Sequence, residues 1–192
     1  MGILVAGLIV FLGIHSLRVF ADGWRGRVIA KLGEKPWKGL FALVSLLGFV
    51  LIIWGFGQAR MTPEFLYSPA LWLRHLNSLL TLIALILVAA AYVPKNHLKA
   101  RLGHPMLLGV KVWAFGHLLA TGFLRDVVLF GAFLVWAIVL YAVSRRRDRA
   151  AGTTYPAGTI AGDIGAVVAG VVIWAAFTFK LHTLLIGVNP LA

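Results

Sequence analysis

The chain has 192 residues, 61% of them hydrophobic, and its formal net charge is +12. Soluble domains are about 45–50% apolar, so this composition is typical of a membrane protein. The absence of cysteine excludes disulfides, thiolate metal sites, cysteine nucleophiles and c-type haem attachment. The basic residues cluster in short segments between apolar runs, a pattern that favours membrane topology signals over nucleic-acid binding.

Six apolar runs predict about six transmembrane helices. Each run has about 18–23 residues, which is long enough to cross a hydrocarbon core of about 30 Å as a helix. Such runs are too long for the roughly ten-residue strands of a membrane barrel. We therefore expect an all-α polytopic membrane helix bundle that forms a single domain over residues 1–192. The runs are Gly2–Phe20, Trp37–Phe56, Leu71–Val93, Pro105–Gly122, Val127–Ser144 and Ile164–Ile186.

The charged loops predict the orientation of these helices. Basic residues follow the first run rather than precede it, so we interpret that run as a retained span and not as a signal peptide. Thirteen Lys and Arg residues fall in the loops after the first, third and fifth runs, and three fall in the loops on the opposite side. The positive-inside rule then places the basic loops in the cytoplasm and both termini outside it.

Seven ionisable side chains lie in or near the apolar runs. Such groups cost about 2.5–3.5 kcal/mol each on membrane-insertion scales, and they commonly mark functional sites. His104 and His117 are thirteen residues apart, which corresponds to about 20 Å along a helix and about 140° around it, so they cannot bind one metal ion. His97 is interpreted as a solvated loop residue. The seven are His15, His75, His104, Lys111, His117, Lys180 and His182.

The residue types favour haem over other cofactors. Neutral imidazole is a metal ligand that needs no buried counter-charge, and two imidazoles on different helices can hold a haem iron. A zinc site is disfavoured because there is no HExxH motif and the acidic residues lie at span ends or in loops. Two alternatives stay open: a proton-linked transporter with Lys111 and Lys180 along a polar path, and a respiratory assembly factor whose histidines are structural.

Four motifs, in this order, resemble the NnrU family of bacterial membrane proteins: "FLGIHSLR", "WLRHL", "VAAAYVPKNHLKARLGHPMLLGVKVWAFGHLLATG" and "LHTLLIGVNP". The resemblance covers nearly the whole chain, and its most specific part is "HPMLLGVKVWAFGHLL". It implies a location in the bacterial inner membrane and a role linked to nitrite and nitric oxide respiration, so the termini that the charge bias places outside the cytoplasm are expected on the periplasmic side. The family is related to plant zeta-carotene isomerase, a membrane enzyme that uses haem b to isomerise a cis double bond.

That relationship implies haem b as the cofactor here, with His15 and His117 as axial ligands. It also implies either a hydrophobic polyene substrate or a respiratory redox partner, so isomerisation, electron transfer and nitrogen-oxide sensing are the candidate roles. Arg18 lies one helical turn beyond His15, where it is suited to pair with a haem propionate. Depth along the predicted spans matches His75 and His182 to His117 better than His15, so His75 is the substitute ligand.

The chain departs from the family pattern in one place that bears on the site. The family commonly has Asn-Gly-Asp after "HLLA", whereas Thr121, Gly122 and Phe123 follow it here. If that acid has a role in the family, the role is lost in this chain or is taken by Asp126.

Overall fold

The computed structural model describes residues 1–191, and these residues confirm the all-α prediction. The strand-like pairing within them is an isolated bridge between Phe65 and Phe123. A π-helical turn, Phe177–Leu181, joins α8 to α9. The helices are α1 (Gly2–Phe20), α2 (Asp22–Leu32), α3 (Glu34–Met61), α4 (Trp72–Tyr92), α5 (His97–Leu102), α6 (Pro105–Ala120), α7 (Leu124–Ala150), α8 (Ile160–Ala176) and α9 (His182–Ile186).

Five helical segments are long and apolar enough to cross a membrane. They are α1, α3, α4, α7 and the continuous segment Ile160–Ile186 that contains α8, the π turn and α9. The remaining predicted run forms α6, which is apolar but has only 16 residues. All six runs are therefore helical, while a count of six spans stays a prediction. Large apolar side chains such as Leu43 and Leu184 are exposed on these segments, as expected for surfaces that lipid covers.

Unit 1 is a compact unit that comprises Met1–Leu66 and Phe123–Ala132. In it, α1 packs antiparallel to α3, and α2 connects the two helices. The two helices α1 and α3 approach each other closely because glycines lie at their contact. A methyl group on Gly7 would lie 2.6 Å from the backbone nitrogen of Ile52, and one on Gly48 would lie 2.7 Å from the backbone nitrogen of Phe11. Small residues at such positions let helix backbones approach each other in a membrane.

Unit 2 comprises Tyr67–Gly122 and the chain from Phe133 onward, and α4 is its central helix. Both α6 and α8 pack antiparallel to α4, again at glycines. A methyl group on Gly109 would lie 2.7 Å from the carbonyl oxygen of Ala84, and one on Gly170 would lie 2.5 Å from the Cα of Ile86. The C-terminus of α4 therefore meets the N-termini of α6 and α8 at one end of the unit.

We call this end, residues 93–105 and 141–163, the basic end of unit 2, because it carries Lys95, Lys99, Arg101, Arg145, Arg146, Arg147 and Arg149. Two side-chain caps and a proline begin its helices. The Asn96 side chain accepts a hydrogen bond from the backbone of Lys99 and so caps α5, and Thr159 caps α8 in the same way. Pro105 occupies the first turn of α6, as predicted.

The segments between the runs are more ordered than the sequence indicates. Loops were expected after the first and third runs, but the structure forms α2 and α5 there. The fifth run ends near Ser144 in the sequence, whereas α7 continues to Ala150. The six-residue α5 exists because Asn96 caps it and because the segment is bonded to α8, so its cause lies outside its own sequence.

Candidate functional site

His117 lies on α6 with its imidazole held by its own helix. Its Nδ1 donates a hydrogen bond to the carbonyl oxygen of Trp113 at 2.8 Å, and the two rings lie 5.2 Å apart. A carbonyl oxygen can only accept, so Nδ1 carries the proton and Nε2 carries the lone pair of the neutral ring. Metal-ligating histidines are oriented in this way, by donating their other ring N–H to a carbonyl or carboxylate.

The Trp113 ring beside this imidazole belongs to an aromatic cluster within unit 2. The Trp113 ring lies edge-on to Phe133 at 5.7 Å, and Phe133 lies 6.4 Å from Trp136. A second histidine, His182, is close enough to interact electrostatically with His117, and its Nδ1 donates to the carbonyl of Val188 at 2.7 Å. An apolar environment of this kind favours a neutral imidazole, which is the form that binds metal.

His15 lies in unit 1 with the same local arrangement. Its Nδ1 donates to the carbonyl oxygen of Phe11, four residues earlier on α1, at 2.6 Å. The ring lies 4.3 Å from the Phe11 ring and 5.0 Å from the ring of Phe41 on α3. The two histidines that the family resemblance implies as ligands therefore share one tautomer and one type of orienting hydrogen bond.

The other two predicted cofactor residues lie at helix ends. Arg18 is exposed in the last turn of α1, one turn from His15 in unit 1. His75 is exposed near the start of α4, two residues before Asn77, and the Asn77 side chain packs against Gly116, the residue before His117. The antiparallel packing of α4 and α6 thus brings His75 and His117 to the same end of that helix pair.

Lys111 does not need a polar path to account for it. Its Nζ lies 4.1 Å from the centre of the Tyr141 ring, which is cation–π geometry within unit 2. Such a contact is worth about 0.5–2 kcal/mol, so it offsets part of the cost of a cation in an apolar run. The presence of Lys111 in α6 is therefore accounted for by helix packing.

His104 has a different partner from His117, as its distance along the helix predicted. It occupies the N-cap position of α6, but its side chain makes no capping hydrogen bond. Its Nε2 instead donates to a carboxylate oxygen of Asp148 at 2.7 Å, and the Tyr155 hydroxyl donates to the same oxygen at 2.5 Å. Burial and the neighbouring carboxylate raise the pKa of the Tyr155 phenol above its usual value. This cluster fastens α6 to α7 and to the segment before α8.

His97 is not simply solvated, so that interpretation is corrected. Its backbone nitrogen donates to one carboxylate oxygen of Asp163 at 2.8 Å, and its Nδ1 donates to the other at 2.7 Å. Nothing near His97 in the sequence could indicate this contact, because its partner lies 66 residues further along the chain. The pair binds α5 to the first turn of α8.

A buried charged pair that the sequence did not reveal lies at the start of α7 in unit 1. Asp126 is 5% exposed, and its carboxylate lies 3.6 Å from Nε of Arg125. The Arg125 guanidinium also lies 4.2 Å from the centre of the Phe123 ring. Asp126 was predicted only as a replacement acid, and Arg125 is one of the three basic residues counted on the opposite side of the membrane. The adjacent opposite charges next to an apolar run were the available signal.

Within residues 1–191, no three His, Asp or Glu side chains come together in a way that could hold a metal ion. A haem does not need such a group, because the porphyrin supplies four ligands to the iron and the protein supplies at most two. The histidines present are therefore the donor type that haem uses, and each candidate ring is already oriented by its Nδ1 hydrogen bond.

These features define the class of the chain as a multi-pass α-helical membrane protein. A family model described as "NnrU protein" matches residues 3–190, nearly the whole sequence. The chain therefore belongs to the NnrU family, as its motifs predicted. No curated protein and no solved structure matches it.

Proposed function

We propose that this NnrU-family protein binds haem b in the bacterial inner membrane, with His15 and His117 as the axial ligands, and has a redox-linked role. The observation that carries the proposal is that both histidines make the same kind of hydrogen bond. Each imidazole donates from Nδ1 to the carbonyl four residues earlier, at 2.6 Å for His15 and 2.8 Å for His117. This bond fixes Nε2 as the nitrogen with the ligating lone pair.

The side chains around each histidine support the same role. The rings of Phe11 and Phe41 enclose His15, and the Trp113 ring lies beside His117. These aromatic faces would exclude water from the macrocycle and keep the imidazoles neutral. Arg18, exposed one turn beyond His15, would pair with a propionate.

Haem supplies an iron that changes oxidation state and, when one axial position opens, a Lewis-acid site. The chain's own part differs between the candidate roles. For electron transfer to a respiratory partner, His15 and His117 must both stay in place. For cis–trans isomerisation of a hydrophobic polyene, one histidine must move away to admit the double bond. His75, on the side of His117, would be the substitute ligand if His15 does not bind the iron.

Haem content tests the proposal. The protein is expressed with adequate haem supply, purified in mild detergent and assayed for pyridine haemochrome. We expect about one haem b per chain. Protein without haem would refute the proposal and leave a transporter or an assembly factor, which ion-coupled uptake in vesicles and co-purification with a reductase would distinguish.

Carbon monoxide then separates the two redox roles. Reduced protein that does not bind carbon monoxide retains both histidines, which supports electron transfer. Reduced protein that binds it readily has released a histidine, as isomerisation of a double bond requires. The haem that the His15→Ala variant retains is the control, because its opened axial position should bind carbon monoxide in either case.

A further inference from the structure

A cavity of about 330 Å³ lies at the basic end of unit 2, between α5 and the first two turns of α8. We call it the interfacial pocket and define it by its lining residues, which are His97, Leu98, Arg101, Leu102, Asp163 and Val167. It is separate from the surroundings of His117, which lies near the opposite end of α6. Neither histidine proposed as a haem ligand lines it.

The walls of the interfacial pocket are held rigidly. Asn96 is buried, and its side-chain amide donates to the carbonyls of Ala90 and Val93 at 2.8 and 2.6 Å. On the other side, the backbone nitrogen and the hydroxyl of Thr159 both donate to the carbonyl of Lys95, at 2.7 and 3.1 Å. The position of α5 against α8 is therefore fixed before any ligand arrives, which lowers the entropic cost of binding.

The close packing of two glycines reinforces this arrangement. Gly158 lies directly against the backbone and ring of His97, and Gly162 lies directly against the backbone of Lys95, so neither position has room for a side chain. Any larger residue at these two positions would push α8 away from α5. The sequence thus preserves a close contact next to an open cavity.

The lining divides into an apolar part and a charged rim. Leu98, Leu102 and Val167 supply the apolar part. At the rim, both carboxylate oxygens of Asp163 accept hydrogen bonds from His97. Arg101 is exposed, and within residues 1–191 it interacts electrostatically with the Asp163 carboxylate without a close ion pair. The rim therefore presents a cation whose hydrogen-bond donors can meet an anionic ligand.

The pocket lies next to the ends of two candidate membrane spans. It begins five residues beyond the C-terminus of α4 and includes the first turn of α8, so it lies where two apolar helices emerge from the hydrocarbon region. Ligands at that depth are lipids, whose phosphates lie next to the first methylenes of their chains. Basic pockets of this kind between membrane helices bind anionic headgroups.

We propose that the interfacial pocket binds one anionic phospholipid, with Arg101 on the phosphate and with Leu98, Leu102 and Val167 against the first methylenes of an acyl chain. The excess of basic residues at the basic end, seven against Asp148 and Asp163, selects anionic over zwitterionic headgroups. The apolar part selects a lipid over a soluble phosphate, because inorganic phosphate gains nothing from three apolar side chains. This site is independent of haem, so its test does not use haem content.

Native mass spectrometry of the full-length protein in detergent tests the site. Phosphatidylglycerol, phosphatidylcholine or inorganic phosphate is added, and the bound fraction is measured. We expect one tightly retained phosphatidylglycerol, weak retention of phosphatidylcholine and no displacement by phosphate. Arg101→Ala should lower the affinity for phosphatidylglycerol about tenfold, the usual effect of losing a hydrogen bond to a charged group.

Two matched controls keep the result specific. Arg27→Ala removes the same charge from an exposed position on α2 in unit 1, and it should leave that affinity unchanged. Val167→Trp should fill the pocket and expel the lipid, whereas Val168→Trp, at an exposed neighbour outside the pocket, should not. Circular dichroism of each variant checks that the helices form.

Three results would overturn the proposal. The first is equal loss of lipid in Arg101→Ala and Arg27→Ala, which would mean that basic residues attract lipid without a site. The second is equal retention of phosphatidylcholine and phosphatidylglycerol. The third is displacement by inorganic phosphate, which would identify a phosphate site. If Arg101→Ala does not fold, the Val167→Trp and Val168→Trp pair decides the question alone.

Discussion

Four of the six histidines are held in two different ways. At the basic end, His97 and His104 donate to the carboxylates of Asp163 and Asp148. On the apolar helices, His15 and His117 donate to carbonyls of their own helices. A carboxylate partner makes imidazole a link between elements, whereas a carbonyl of the same helix only orients the ring. The difference separates histidines that fasten the fold from histidines suited to bind a ligand.

The most direct test of this difference is to replace each of these four histidines by alanine in turn. We expect His117→Ala and His15→Ala to lose most of the haem while the helices remain. His104→Ala and His97→Ala should keep the haem but unfold at lower temperature, because a carboxylate loses its partner. Pyridine haemochrome and thermal unfolding in detergent measure the two effects. Loss of haem in all four variants, or in none, would remove the distinction.

Glycine packing in the apolar region gives the largest expected effect on stability. Gly7→Ala places a methyl group 2.6 Å from the backbone nitrogen of Ile52, so α1 and α3 must separate. We expect a loss of about 3 kcal/mol in the free energy of unfolding, at the upper end for overpacking.

Gly13→Ala is the matched control on the same helix, where a methyl group meets nothing within 4 Å. It should stabilise α1 by up to about 1 kcal/mol, since alanine is the better helix former. Denaturant titration in detergent compares the two variants. Equal effects would show that α1 and α3 do not depend on close contact at Gly7.

A smaller effect is expected from Asp148→Ala at the basic end. The change removes the acceptor of His104 and Tyr155 from a site where Asp148 is 8% exposed. Because His104 and Tyr155 would then lack their acceptor, the free energy of unfolding should fall by about 2 kcal/mol. The control is Asp22→Ala, whose exposed ion pair with Arg25 should contribute less than about 0.5 kcal/mol. Similar unfolding midpoints for the two variants would contradict a fastening role for Asp148.

The smallest effect is expected from Thr159→Ala. Thr159 caps α8 by accepting a hydrogen bond from the backbone of Gly162 at 3.1 Å. Loss of an N-cap costs about 1 kcal/mol, and Thr159→Ser should restore most of it. Hydrogen exchange at the first turn of α8 reports the change locally. Unchanged exchange in Thr159→Ala would show that the cap does not hold this turn.

The apolar helices were predictable from the sequence because each of them forms as a result of the composition of its own segment. Runs of about twenty apolar residues have to form helices in lipid, since every backbone group must be bonded within the segment. The run from Gly2 to Phe20 accordingly coincides with α1. The short basic helices were not predictable in this way. In α5, the decisive partners of Asn96 and His97 lie on α4 and α8.

The candidate site was predictable only in part. His15 and His117 were identified from motifs, and the structure adds their common hydrogen bond to a carbonyl. The role of His104 was not predictable, because Asp148 lies 44 residues away within a basic segment that predicts only membrane topology. A long-range pair of this kind leaves no trace in local composition.

The absorption spectrum of the purified protein, oxidised and then reduced with dithionite, tests the central claim most directly. The account predicts a Soret band and sharp reduced α and β bands of a six-coordinate haem b, both weakened in His117→Ala. A protein with no Soret band after expression with adequate haem would contradict it. His15 and His117 would then be packing groups, like His97 and His104 at the basic end.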